Sequence, residues 1–216
     1  MSFFLLAFPA LFSIVNPLGG AFIFLGATEH SSAKVRKELA KWIAIYSFAI
    51  VTASMYVGAY VLTFFGISIS VLRAAGGIVI AAAAWRMLNA PDDEAPKTGD
   101  EVGADLAATR TISRSAFYPL TMPITTGPGT ISVAVSLGTN RPRATAELLS
   151  FIGQSMLAIV AICALVYVLY RYSAPLSRLI GPTGTVIVTR LSAFLLFCIG
   201  VQVFWNGAAD LLTSVR

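Results

Sequence analysis

Asn16-Pro17-Leu18-Gly19-Gly20 sits in the middle of residues 3–27, a stretch without a single charge. Proline lacks an N–H and clashes with the preceding helical turn. The glycines beside it remove the remaining steric restraint. A run long enough to cross a bilayer, broken at its centre, therefore reads as an unwound membrane helix. A second cluster repeats the signal: Pro119 and Pro123 lead into Gly127-Pro128-Gly129, with Thr125, Thr126 and Thr130 around it.

Other pairs follow the same two-part plan. Arg73 lies in an apolar span and Asn89 follows 16 residues later; Arg190 lies in another and Asn206 follows by the same interval. A membrane protein made of two similar halves, each with a breakable helix, is the usual plan of a transporter.

Composition bounds the class. Of 216 residues, 57% are hydrophobic and 12% charged, against roughly 25% charged in a soluble domain; lipid must be the solvent. Six stretches are long enough to span, near 3–27, 42–65, 68–89, 115–138, 148–170 and 186–211, since about 20 residues suffice. Alternating strand patterns are absent, which argues against a barrel. No basic residue precedes the first span and no small-residue cleavage site closes it, so it reads as retained rather than as a signal peptide.

The expected fold is all-α and polytopic, with six transmembrane helices in two inverted three-helix repeats and broken helices 1 and 4. Residues 1–89 form the first repeat and 115–216 the second. Residues 90–114 form a polar cytoplasmic linker, carrying Asp92, Asp93, Glu94, Asp100, Glu101 and Asp105. An odd number of helices per half forces the inversion. Ser31-Ser32 offers a cap for the second helix, and Gly66 a tight turn before the third.

The net charge of +5 is explained by placement rather than by nucleic acid. Lys34, Arg36, Lys37 and Lys41 fill the first loop, Arg86, Lys97, Arg110 and Arg114 flank the third, and Arg171 and Arg178 lie in the fifth. The positive-inside rule assigns these loops to the cytoplasm, so both termini are expected in the periplasm. Trp42, Tyr170 and Trp205 fit interfacial belts.

The chemistry follows from the breaks. Freed backbone groups cannot face lipid. A half-helix N-terminus suits a carboxylate, and freed carbonyls suit an ammonium or a metal cation. Asn16, Pro17 and Gly19, with Thr126, Gly127, Pro128 and Gly129, are the expected substrate-binding residues; simple kinks relieved by packing are the alternative. An intramembrane arginine costs on the order of 3 kcal/mol. Arg73 and Arg190 either meet a substrate carboxylate, clamp the broken helices, or snorkel from nearby helix ends. Asn89 and Asn206 cap or tie helix ends, and Gln202, in mid-helix, bonds another helix, with substrate contact as the alternative.

No Asp or Glu lies deep in a span; Glu29, Glu147 and Asp210 are near ends, and His30, in the first loop, reads as solvated. Neither a buried-carboxylate proton relay, a metal cluster, a phosphate loop nor a Ser-His-Asp set can be assembled. No catalytic residue, cofactor or metal is expected. Cys163 and Cys198 read as packed apolar residues.

At these residues the chain resembles the MarC family of bacterial inner-membrane proteins. The matching pieces are Val15-Asn16-Pro17-Leu18-Gly19; Phe65-Gly66-Ile67-Ser68 with Arg73-Ala74-Ala75-Gly76-Gly77; Pro119-Leu120-Thr121-Met122-Pro123 with Gly127-Pro128-Gly129-Thr130-Ile131; and Thr189-Arg190 with Val201-Gln202. The resemblance covers nearly the whole chain. It implies a six-helix secondary transporter or exporter of small neutral amino acids such as alanine and glycine, with H+ or Na+ as a coupling ion left open. The alternatives are a membrane lipid-phosphate enzyme or flippase, and a non-transporting scaffold.

Overall fold

The computed structural model describes residues 2–28, 31–89, 112, 114–142 and 144–214. Residues 90–111 and 113 of the linker, together with Glu29 and His30, lie outside them. The described residues form helices and turns, with no strand among them. The chain is a polytopic helical membrane protein: five helical stretches are long and apolar enough to cross a bilayer.

The first is assembled from α1 (Phe3–Val15) and α2 (Pro17–Ala27), split at Asn16. Ser32 then caps α3 (Ala33–Phe64), its hydroxyl accepting from Val35 N–H at 3.3 Å. The expected cap is thus in place. At 1.5 Å per residue α3 is about 48 Å long, well beyond a hydrocarbon core of about 30 Å, so its basic first turns overhang the apolar part. Gly66, at φ 67°, turns the chain into α4 (Ile69–Asn89).

The fourth expected span is built differently. It consists of α5 (Ala116–Thr125), a wide helix with five-residue turns, and the short apolar α6 (Pro128–Gly138). α7 (Thr145–Arg171) follows, then α8 (Ser173–Ser214), which is bent at Gly181 with φ 73°. The expected sixth helix is therefore preceded by one short helical piece, Ser173 to Ile180.

α4 and α8 lie closest. Gly200 faces the backbone of Ala81, and Gly207 that of Ala74; a Cβ on either would stand 2.5 Å from a backbone nitrogen. Small residues let membrane helices approach to backbone contact, where dispersion drives association. α3 packs on α5, α6 and α7, while α7 also packs on α1 and α2; α6 touches α4 much as α2 touches α8. The apolar core, which includes Leu11, Phe24, Ile43, Leu120 and Ile159, lies among α1, α2, α3, α5, α6 and α7, with Ile80 of α4 at its edge.

Candidate functional site at the helix breaks

The first break occupies one residue. Asn16 takes the left-handed conformation (φ 46°, ψ 60°), which asparagine tolerates better than most L-residues. Its side-chain oxygen accepts from Gly19 N–H at 3.3 Å, capping α2, and its amide donates to the Ser192 carbonyl of α8 at 3.5 Å. Pro17 starts α2, where a missing N–H costs nothing. Gly19 and Gly20 are buried. A side chain on Gly19 would crowd Asn16 and Ser192, and one on Gly20 would overlap the Tyr170 hydroxyl.

The second break is spread over ten residues. Tyr118 (φ −126°, ψ 126°) and Met122 (φ −114°, ψ 117°) are extended within α5. Each immediately precedes a proline, and that position is pushed out of the helical region. Bonds reaching five residues back hold the widened turns: Thr121 and Thr125 hydroxyls donate to the carbonyls of Ala116 (2.7 Å) and Leu120 (2.8 Å), and Thr126 N–H to Thr121 (2.7 Å). The Thr126 hydroxyl donates to Ser47 Oγ on α3 at 2.8 Å, both buried. Gly127 is extended and Pro128 opens α6. Glycine offers no side chain to cap that helix, whereas Asn16 caps α2. Gly129 is buried against Ile80.

One hydroxyl joins the two regions. Tyr170 is 1% exposed, and its Oη lies 2.9 Å from Thr125 Oγ1 while occupying the space left by Gly20. Its ring stacks on Phe24 at 4.9 Å. Tyr170 therefore does not belong to the interfacial belt expected for it: α2 and α5 cover the end of α7. The signal available was the Gly19-Gly20 pair, which leaves room for something large. Trp205, by contrast, is exposed.

The arginines are not at the breaks. Arg73 Nη1 donates to Asp210 Oδ2 at 2.9 Å and Nε to Ser136 Oγ at 2.9 Å, tying the start of α4 to the ends of α8 and α6. The pair is half-exposed. Arg190 donates to the Met87 carbonyl at 3.4 Å and to that of Leu88, in the last turn of α4. The two cations therefore fasten opposite ends of the α4–α8 pair rather than the broken helices, and only Arg73, through Ser136 on α6, bonds a broken span.

The remaining polar residues serve their own helices. Gln202 donates to Asn206 Oδ1 at 2.9 Å, and Asn89 to the Trp85 carbonyl at 2.8 Å. Cys163 is buried, but Cys198 is exposed rather than packed, and neither is in a disulfide. Among the described residues no three His, Cys, Asp or Glu gather as a metal site would require.

The family model described as MarC family integral membrane protein matches residues 1–212. Similar proteins include a UPF0056 membrane protein of Archaeoglobus fulgidus, 34% identical over all of this chain and 96% of its own length. The UPF0056 membrane protein YvbG of Bacillus subtilis is 33% identical, over 95% of this chain and 94% of its own. The UPF0056 inner membrane protein MarC of Salmonella paratyphi A is 32% identical, over 94% and 93%. No solved structure matches the chain.

Proposed function

The chain belongs to the MarC family of integral membrane proteins, and we propose that it is a secondary transporter or exporter of small neutral amino acids, alanine- or glycine-like. The bacterial inner membrane, named for several relatives, is its site of action. The six spans form two inverted repeats, with both termini in the periplasm. Several observations support the repeat. Each broken span restarts at a proline, Pro17 and Pro128. Each third helix follows a glycine of positive φ, Gly66 and Gly181. Exchanging the halves also exchanges the helix neighbours: α2 on α8 with α6 on α4, and α1 on α7 with α5 on α3.

One observation carries the transport reading: the Tyr170 hydroxyl reaches both breaks at once. Two half-helix starts brought within one side chain of each other put N–H groups and freed carbonyls in reach of a single small zwitterion. The N–H groups at the uncapped start of α6 suit the carboxylate. Carbonyls released around Tyr118 and Met122 suit the ammonium. Thr126, Gly127, Pro128 and Gly129 shape one wall, and Asn16, Pro17 and Gly19 the other. Rocking of one helix set against the other, hinged at the breaks, alternates access.

Counterflow of labelled alanine and glycine in proteoliposomes tests this. Substrate trapped inside should drive accumulation of label. Absence of flux under every H+ and Na+ gradient, with hydrolysis of a polyprenyl phosphate, would install a lipid-phosphate enzyme instead. Absence of both would leave a scaffold. Arg73→Ala and Arg190→Ala should each reduce flux while the protein stays monodisperse; wild-type flux in both removes the arginines from the cycle.

A further inference from the structure

The transport reading leaves one feature unused. An open cleft of about 410 Å³ lies beside α3 and the start of α5, lined by Tyr46, Arg114, Phe117 and Tyr118. The Tyr46 and Phe117 rings meet edge to face at 5.4 Å, and Trp42 stacks on Tyr46 at 5.6 Å. Tyr118 is 70% exposed, on backbone that is not helical. Arg114 is exposed and makes no hydrogen bond or ion pair among the described residues.

These facts specify an occupant. Backbone released from a helix at Tyr118 needs polar partners, which water or a lipid headgroup supplies at the membrane boundary. Arg114 supplies a fork of donors that no described residue engages, which phosphate oxygens match. The aromatic walls offer apolar surface that a soluble anion would leave bare. Trp42 and Tyr46 lie within two turns of Lys41 and the basic overhang of α3, which puts the cleft at headgroup depth. We infer that it is a lateral binding site for an anionic phospholipid of the leaflet facing the basic loops, its phosphate on Arg114 and its upper chain against Phe117 and Tyr118. The cleft shares Tyr118 with the second break, but Arg114, Tyr46 and Phe117 take no part in the transport reading.

Trp42 is a built-in reporter. The full chain carrying Trp85→Phe and Trp205→Phe, reconstituted in phosphatidylcholine vesicles, is titrated with brominated phosphatidylglycerol or brominated phosphatidylcholine. Quenching of Trp42 should favour the anionic lipid by about fivefold at equal mole fraction. Arg114→Gln should abolish the preference, and Arg86→Gln, on α4 outside the cleft, should keep it. Should the Arg114 variant fail to reconstitute, Tyr118→Ser serves in its place and should at least halve the preference. Equal quenching by the two lipids, or a preference untouched in the cleft variant, overturns the site. Relief of quenching by inorganic phosphate would assign it to a soluble anion and overturn the lipid.

Discussion

The two breaks restart a helix in the same way and stop one in different ways. At the first, α1 stays regular up to Val15 and a single left-handed asparagine does everything: it turns the chain, caps α2 and fastens it to α8. At the second, a ten-residue segment is widened, two residues are extended, and three threonine hydroxyls hold it. A single well-capped residue makes a pivot with few alternative states. A long segment held by side-chain hydroxyls has many bonds to exchange, and those hydroxyls are the groups a polar ligand would compete for. The contrast assigns stability to the first break and chemistry to the second.

The largest test of that division is Gly20→Val. A side chain there displaces the Tyr170 hydroxyl, and overpacking of this kind costs about 1–3 kcal/mol. The thermal midpoint in detergent should fall sharply, and adding Tyr170→Phe should restore part of it. Absence of rescue would show that the hydroxyl is not the obstacle. Next comes Asn16→Ala, which removes a cap, expected to cost about 1–2 kcal/mol. Its flux, corrected for folded protein, should fall less than that of the second-break variants; a tenfold loss of flux with unchanged stability would reverse the weight given to the two breaks.

Smaller effects sharpen the second break. Thr126→Val leaves Ser47 without its donor and should cost about 1 kcal/mol, while flux falls further than stability does. Thr125→Val and Tyr170→Phe remove one shared hydrogen bond. Their effects on the thermal midpoint should therefore be non-additive, the double variant losing less than the sum. Simple addition would mean that the two hydroxyls do not act together.

The breaks were legible because proline and glycine act on the backbone locally, wherever the helix is later packed. Gly66 and Ser32 were legible for the same reason. Tyr170 was not. Its position near a helix end, with Arg171 beside it, is what an interfacial tyrosine looks like; only knowledge of which helices cover that end distinguishes the cases. The wide turns of α5 were likewise hidden, since two residues before prolines predict kinks but not five-residue spacing. Arg73 and Asp210 stood out as charged residues in or near apolar spans, yet their pairing joins residues 137 apart in sequence, which no local pattern encodes. Gln202, expected to bond another helix, bonds within its own, because Asn206 is one turn away and competes at no cost in distance.

The backbone contact of α4 with α8 carries a mechanical meaning. With Gly200 and Gly207 leaving no gap at the seam, and an arginine latched at either end, these two helices can neither slide nor splay without exposing bare peptide to lipid. They form a keel. Whatever motion the protein undergoes must be executed by the remaining helices swinging about it, so a crosslink along the keel should be silent where one between α3 and α7 would block that motion.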